Sequence, residues 1–154
     1  MSNNTLREIT TANWKTCLDL QVWPDQENYV ASNGYSLAQA AYEPEAKWTP
    51  LGIYCDETMV GFLMYGQPDY PDLGGRLWEI CRLLVDKNHQ QKGYGRTAMV
   101  EAIRRISSHA DCESIYICYN PENSVAEALY ASLGFEHTGK IHDEEIVMCL
   151  PVKK

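Results

Sequence analysis

The sequence lacks several patterns that would assign it to common functional classes. No apolar run approaches the roughly 18 residues of a membrane-spanning helix, and residues 1–5 do not begin the apolar core of a signal peptide. The phosphate-loop pattern Gly-x4-Gly-Lys-Ser/Thr is absent, as are internal repeats and interdomain linkers. We therefore expect a cytoplasmic protein, not bound to membranes, in which residues 1–154 form a single domain.

The cysteines give no sign of a metal site or of a disulfide framework. The chain has 6 cysteines, all scattered singly, without a Cys-x-x-Cys pair or a Cys/His cluster at zinc-binding spacing. We interpret them as reduced thiols in or near the core, and we expect no metal ion.

Positive charge is also scarce, because 13 basic residues face 21 acidic residues and leave a net charge of -8 at pH 7. A nucleic acid is therefore not expected as a partner, since phosphate binding needs a basic surface. The acidic balance favours a cationic small molecule, although the same balance also serves solubility alone in many proteins.

Residues 77–106 hold the feature around which the chain is organised. They give an apolar strand, a polar corner, a turn that contains Gly93 and Gly95, and an amphipathic helix. Glycines at the mouth of a helix leave its unpaired N–H groups open to a guest, and the helix dipole makes this end positive. We interpret the stretch as a diphosphate site, with Lys92 and Arg96 adding positive charge.

Residues 93–98 also match the Gly-x-Gly-x-x-Gly/Ala fingerprint of dinucleotide-binding folds. That fingerprint places its first glycine directly at the end of a strand, whereas seven residues separate Val85 from Gly93. No second mononucleotide-binding half follows in the sequence. This interpretation is therefore disfavoured.

Further elements surround this stretch. Residues 114–119 form a second strand that is apolar on both faces, so the order strand, helix, strand predicts a right-handed crossover and parallel pairing. Other strands are expected over residues 6–9, 51–55 and 59–65 and in a hairpin over 135–150, with a loop over residues 67–75. Helices are expected near Trp14, over residues 26–33, and over residues 36–42 with Ser36 as N-cap.

Two segments resemble the signatures of the GNAT superfamily of N-acetyltransferases. Residues 90–95 resemble Gln/Arg-x-x-Gly-x-Gly/Ala, and residues 123–135 resemble Asn-x-x-Ala-x-x-Leu-Tyr-x-x-x-Gly-Phe at every specified position. The resemblance implies an α/β (α+β) fold of the GNAT type, with helices flanking a mixed, mostly antiparallel sheet that has a parallel pair at the acetyl-CoA site. Residues 24–33 and 36–40 look like the corresponding segments of bacterial spermine/spermidine (diamine) N-acetyltransferases.

This resemblance also implies a co-substrate and its binding residues. In the family, the loop amides wrap the pyrophosphate of acetyl-CoA and the preceding strand pairs with its pantetheine arm. Asn123 would hydrogen-bond the same arm, although as a bare residue it is equally a helix N-cap. The implied acetyl-CoA residues are Leu83, Leu84, Val85, Gln90, Gln91, Lys92, Gly93, Tyr94, Gly95, Arg96, Asn123 and Tyr130.

Acetyl transfer needs a base for the amine and an acid for the leaving thiolate, because an alkylamine with a pKa near 10.4 is mostly protonated at pH 7. By resemblance Tyr130 is the acid; the alternative is a tyrosine that only packs in the core. Glu79 is a candidate base and substrate ligand, because a carboxylate on an apolar strand is unusual. It could instead pair with Arg82. Glu27 is a candidate ligand for a distal ammonium, unless it is simply solvated.

The favoured hypothesis is an acetyl-CoA-dependent N-acetyltransferase that acetylates a primary amine of a polyamine such as spermine or spermidine. Other acceptors, an aminoglycoside or a protein N-terminus, remain open within the same enzyme class. A regulatory module that binds acyl-CoA without turnover is the non-enzymatic alternative. The sequence does not reveal the oligomeric state; a homodimer is one candidate, since dimers are frequent among similar proteins.

Overall fold

The computed structural model describes residues 4–153, and the expectation for residues 1–3 lies outside this range. Seven strands form one sheet in the order β1-β2-β3-β6-β7-β9-β8, and β4 pairs with β5 in a separate two-stranded ladder. The strands are β1 (Asn4–Glu8), β2 (Thr49–Cys55), β3 (Thr58–Gly66), β4 (Asp69–Tyr70), β5 (Gly75–Arg76), β6 (Trp78–Val85), β7 (Ser114–Tyr119), β8 (Glu136–His142) and β9 (Glu145–Pro151).

Four α-helices flank the sheet, and a hydrophobic cluster lies on each of its faces. The helices are α1 (Trp14–Asp19), α2 (Asn33–Tyr42), α3 (Tyr94–Ser107) and α4 (Ser124–Ser132). The buried residues of α3 pack with the larger cluster, which also holds Tyr130 of α4, while Cys17 of α1 belongs to the smaller cluster. No helix within residues 4–153 is long and apolar enough to cross a membrane.

The pairing of β6 positions the functional site. Every neighbouring pair in the large sheet is antiparallel except β6 and β7, which are parallel and joined through α3. This mixed sheet confirms the fold predicted from the sequence. The register of the parallel pair covers only Trp78 with Ile115 and Glu79 with Tyr116. Beyond these two pairs the strands separate, so their carboxyl ends form the two sides of an opening.

An irregularity in β6 accompanies this separation. Met64 of β3 pairs with Arg82, but the next residue, Tyr65, pairs with Ile80, so Cys81 has no counterpart on β3. One extra residue of this kind is a β-bulge, which bends a strand and increases its twist. The bulge lies just beyond the last residue that pairs with β7.

Three predictions for the connecting segments were wrong. Residues 26–33 do not form a helix, because the chain runs through a 3-10 turn at Pro24–Gln26 and further turns until α2 begins. The N-cap of α2 is Ser32, whose hydroxyl accepts a hydrogen bond from the Tyr35 N–H, so Ser36 lies inside the helix. Residues 67–75 were expected to form a loop but contain β4 and part of β5.

Candidate functional site

A cleft of about 880 Å³ opens where β6 and β7 separate. Three groups of residues form its walls: the end of β6, the loop that leads into α3, and the segment that precedes α2. The end of β7, the helix α4 and the beginning of β9 complete the lining. Leu83, Leu84 and Val85, which the sequence placed at the acetyl-CoA site, all line this cleft.

The loop before α3 presents backbone donors to the cleft. Gly93 is the N-cap of the helix with φ 83°, a left-handed conformation that glycine adopts without strain, and it offers no side-chain cap to the helix. The first-turn N–H groups of α3 therefore stay available to an anionic guest, which the helix dipole also favours. Gln90, Gln91, Gly93, Tyr94, Gly95 and Arg96 line the cleft. Lys92 is an exposed residue of the same loop and is not part of the lining.

Gln90 fixes this loop to two neighbouring segments. Its Nε2 donates to the backbone oxygen of Val85 at 3.0 Å and to Oε1 of Gln26 at 2.8 Å. In return, Nε2 of Gln26 donates to Oε1 of Gln90 at 3.2 Å. A second tie joins the same segments, because buried Asp86 accepts a hydrogen bond from the N–H of Gln21. The loop between β6 and α3 (residues 86–93) is called the cradle loop below. These contacts hold it against the segment that precedes α2.

Tyr130 lies in the last turn of α4 and lines the cleft. Its side chain is buried, with ring centroids 6.0 Å from both Tyr119 and Phe135. Burial raises the pKa of its phenol above the ordinary value near 10, and the negative charge of Glu145 acts in the same direction. The phenol therefore holds its proton at neutral pH and can serve as a proton donor.

Asn123 begins α4 and faces the cleft as well. Its Oδ1 accepts a hydrogen bond from the N–H of Ala126 at 3.2 Å, which makes it the N-cap of the helix. Both sequence-based roles are therefore compatible, because the cap uses the side-chain oxygen and the amide nitrogen Nδ2 remains a donor.

Glu79 occupies a different place from the one expected of a substrate ligand. It is 4% exposed and is not among the residues that line the cleft, because β6 still pairs with β7 at this position. Its Oε1 accepts a hydrogen bond from the hydroxyl of Tyr70 at 2.7 Å, rather than from Arg82. Burial raises the pKa of the Glu79 carboxyl, although the hydrogen bonds from Tyr70 and Cys118 act in the opposite direction.

Three carboxylate side chains line the cleft. Glu27, a sequence-predicted ligand, lies here as an exposed residue at the end of the 3-10 turn Pro24–Gln26. Asp25 and Glu145 also line the cleft and were not identified from the sequence. Glu145 is the first residue of β9 and is half-buried. A cleft lined by three acidic side chains attracts a cationic guest.

Arg82 is a further cleft residue, and α2 holds its side chain in place. Its Nε donates to the hydroxyl of Ser36 at 3.1 Å, and another nitrogen donates to Oε1 of Gln39 at 2.8 Å. The third nitrogen donates to the backbone oxygen of Cys81. With its donors used in this way, Arg82 anchors α2 to β6 instead of pairing with Glu79.

His142 is mostly buried beside Asp72 and Tyr70. Its side chain is 14% exposed, its Nδ1 lies 2.6 Å from Oδ2 of Asp72, and its ring stacks on Tyr70. Burial alone would lower its pKa, but the hydrogen bond to Asp72 and the nearby charges of Asp143 and Glu79 raise it. The histidine thus ties the hairpin of β8 and β9 to the segment around β4.

Comparison with known proteins identifies the family to which the chain belongs. The chain matches the model of the acetyltransferase (GNAT) family over residues 6–135. It belongs to this family and is an acetyl-CoA-dependent N-acetyltransferase. The superfamily resemblance seen in the sequence is confirmed, and a dinucleotide-binding fold is excluded.

Named relatives carry the narrower resemblance. A probable spermine N(1)-acetyltransferase of Bacillus subtilis subsp. natto (strain BEST195) is 31% identical over 139 residues, which cover 88% of this chain and 90% of that protein. A spermine/spermidine N(1)-acetyltransferase of Bacillus subtilis (strain 168) is 30% identical over 139 residues, with coverage of 88% and 90%. These relatives confirm the similarity to bacterial spermine/spermidine N-acetyltransferases.

A solved structure supports the same fold. The spermidine N-acetyltransferase from Vibrio cholerae in complex with CoA and spermine has a TM-score of 0.74 at 18% identity, over 97% of this chain and 95% of that one. At this level of identity the likeness establishes the fold, and the acceptor has to be argued from the site itself.

Proposed function

We propose that this enzyme transfers the acetyl group of acetyl-CoA to a primary amine of a polyamine such as spermine or spermidine. The observation that carries the proposal is the composition of the single cleft. It presents the open helix terminus at Gly93, which suits a diphosphate, and the carboxylates of Asp25, Glu27 and Glu145, which suit a polycation.

Acetyl-CoA would lie along the loop and the separated strand. The backbone N–H groups of residues 93–96 would bind its pyrophosphate, with Arg96 adding positive charge. Leu83, Leu84 and Val85 have no partner on β7 in the parallel register, so free backbone groups on this edge of β6 would pair with the pantetheine arm. Asn123 would donate from Nδ2 to the same arm. This arrangement would bring the thioester to the point where the two strands separate, near Tyr130.

The reaction would be a direct attack of the amine on the thioester carbonyl. Free backbone N–H groups at the separated end of β6 would stabilise the oxyanion. Tyr130 would protonate the leaving thiolate, because its buried phenol is neutral at physiological pH and lines the cleft. The packing of its ring between Tyr119 and Phe135 would fix the direction of its hydroxyl.

The acidic charge of the cleft and the named relatives both support a polyamine as the acceptor. A polyamine carries several ammonium groups, so Asp25 and Glu27 can bind one while another reacts. The names of the two Bacillus relatives point to the same class of acceptor. An aminoglycoside is also a polycation but is bulkier, and a protein N-terminus needs only one cationic subsite. A module without turnover would have no use for the proton donor Tyr130 beside the cradle.

Product analysis would test the proposal. Incubation of the purified enzyme with acetyl-CoA and spermidine should give acetylated spermidine in mass spectrometry, together with equimolar free CoA. Formation of CoA without an acetylated amine, or binding of acetyl-CoA with no reaction on any polyamine, would contradict it.

We further propose that the enzyme works in the cytoplasm and that it forms a homodimer. The first proposal is supported by the six free cysteines, since thiols persist in reducing compartments. The second rests on the frequency of dimers among similar proteins, and sedimentation of the purified enzyme would test it.

A further inference from the structure

Glu145 occupies a position that the sequence did not reveal. It is the first residue of β9 and pairs with His142 at the turn of the last hairpin. Its neighbour Ile146 pairs with Tyr119, the last residue of β7. Glu145 therefore lies directly beyond the end of β7, and its side chain lines the cleft together with Tyr130.

Within residues 4–153, the carboxylate of Glu145 has no directly bonded counter-ion, although the charges of Arg82 and His142 act on it. Within residues 4–153, the other acidic side chains that are at least partly buried all have a hydrogen-bond or ion-pair partner. These are Glu79 with Tyr70, Asp86 with backbone N–H groups, Glu101 with two arginines, and Glu127 with His137. No hydrogen bond and no ion pair within 4.0 Å joins Glu145 to another of the described residues. A half-buried carboxylate without such a partner is stabilised when a cation binds beside it.

The surroundings of Glu145 also suit proton transfer. Burial raises the pKa of its carboxyl and the nearby charge of Asp143 adds to this effect, while Arg82 and His142 lower the pKa. The charge of Glu145 in turn raises the pKa values of Tyr130 and Cys118, so all of these groups lie within electrostatic reach. Burial and the charges on β6, β8 and the hairpin turn thus set its titration, while the titratable groups of Cys118 on β7 and Tyr130 on α4 face it.

Glu79 is less well placed for this role. It is 4% exposed, its carboxylate is bound by the Tyr70 hydroxyl, and it does not line the cleft. An amine in the cleft would have to displace part of the lining to reach it. Direct contact with the substrate therefore favours Glu145.

We infer that Glu145 is the carboxylate that binds the reacting ammonium of the acceptor and removes its proton. This inference rests on the proposed function, since it requires that a protonated amine is the second substrate. It assigns to a new residue the role of base, for which the sequence offered Glu79.

The proposed acetyl transfer begins with deprotonation of the amine. Glu145 takes a proton from R–NH₃⁺, which leaves R–NH₂ and a neutral carboxyl group. The amine lone pair attacks the thioester carbonyl carbon, the C–N bond forms, and the C–S bond breaks with its electron pair on sulfur. Tyr130 gives its proton to the thiolate, and the resulting tyrosinate takes the surplus proton from the nitrogen of the product. Glu145 then releases its proton to solvent, so each turnover yields CoA, the N-acetylamine and one proton.

The test uses Glu145→Gln with Glu144→Gln as the matched control. Both variants remove one negative charge from the same hairpin, but Glu144 is exposed in the turn and does not line the cleft. We expect Glu145→Gln to lower kcat for spermidine about 100-fold or more, in line with the usual contribution of a general base, and Glu144→Gln to leave it unchanged. Glu145→Asp, which keeps the carboxylate, should retain part of the activity.

The pH profile separates a base from a simple anchor. In the wild type, kcat should rise with pH and then level off once Glu145 is ionised. In Glu145→Gln it should keep rising towards the pKa of the amine itself, near 10.4. Glu145→Gln with wild-type kcat and profile, or with a raised KM alone, would overturn the inference. A large loss in Glu79→Gln combined with an active Glu145→Gln would return the role to Glu79. An inactive wild type would instead contradict the proposed function.

Discussion

The side-chain amides of Gln26 and Gln90 hydrogen-bond to each other in both directions, with N···O distances of 2.8 and 3.2 Å. Gln90 belongs to the cradle loop, whereas Gln26 belongs to the segment that precedes α2, and both segments line the cleft. This reciprocal pair joins the cradle loop to the segment that precedes α2 through side chains. Loss of this pair should weaken the affinity of the enzyme for both substrates.

Gln26→Ala should weaken the binding of acetyl-CoA about fivefold, since a hydrogen bond of this kind contributes roughly 1 kcal/mol. The loop keeps its bond from Gln90 to Val85 and its contacts with Gln21, but it loses both hydrogen bonds to the Gln26 side chain. Calorimetric titration would measure the change, with Gln21→Ala as control, because Gln21 contacts Asp86 and Lys87 through its backbone. Equal affinities in Gln26→Ala and the wild type would show that the pair does not order the loop.

Gly93→Ala should impair acetyl-CoA binding through the backbone. A Cβ at this position would meet no atom within 4 Å, so the cost comes from φ 83°, which an alanine adopts at a penalty of roughly 1–2 kcal/mol. We expect the dissociation constant of acetyl-CoA to rise about tenfold as the N-cap relaxes.

Gly139→Ala controls for strain in that experiment, because Gly139 has φ 79° and equally open surroundings but lies in β8, away from the cleft. It should lower the melting temperature without changing the affinity. If both variants bind acetyl-CoA as the wild type does, the helix terminus is not the diphosphate site.

Tyr130→Phe should lower kcat about 100-fold while acetyl-CoA affinity stays the same, because only the proton donor is removed and the ring contacts remain. Tyr119→Phe is a matched control, since the Tyr119 hydroxyl is buried without a hydrogen-bond partner among the described residues. Steady-state CoA release measures both variants. Full activity in Tyr130→Phe would remove the acid role from this residue.

Glu79→Gln should stabilise the fold, and more so as pH rises. The pKa of Glu79 is raised in the folded state, mainly by burial, so folding is favoured while the carboxyl is protonated. This advantage of the wild type is lost as pH rises from near 4.5 through the folded-state pKa. Glutamine cannot ionise and still offers an oxygen to Tyr70.

Thermal unfolding at pH 5 and pH 8 would check this prediction. The difference in melting temperature, variant minus wild type, should be larger at pH 8. An equal loss of stability at both values would mean that the hydrogen bond geometry at Tyr70 matters more than the buried charge.

Much of the fold could be predicted because local patterns determine it. The apolar runs of β6 and β7 and the helix between them imply a parallel pair, and the left-handed Gly134, with φ 100°, follows the end of α4 as glycines commonly do. The open start of α3 at Gly93 was predictable because the glycines and the beginning of the helix are adjacent in the sequence. Tyr130 and Asn123 came from a family signature rather than from periodicity.

Other parts of the site depend on contacts between distant segments, and the sequence does not encode these in a local pattern. Glu145 follows two acidic turn residues and resembles an ordinary solvated position until the register of β9 with β7 is known. The segment over residues 26–33 has a helix-compatible composition, but Gln26 is engaged with Gln90 and Trp23 and the chain turns instead. Glu79 stands out on its strand, yet only the structure reveals Tyr70 as its partner.

The central claim is that a polyamine is the acceptor. It is tested most directly by kcat/KM for CoA release with spermine, spermidine, a short diamine, an aminoglycoside and a peptide N-terminus measured in parallel. The account predicts that spermine and spermidine exceed the other acceptors by at least tenfold. A preference for the aminoglycoside or the peptide would contradict it, while leaving the family and the acetyl-CoA site in place.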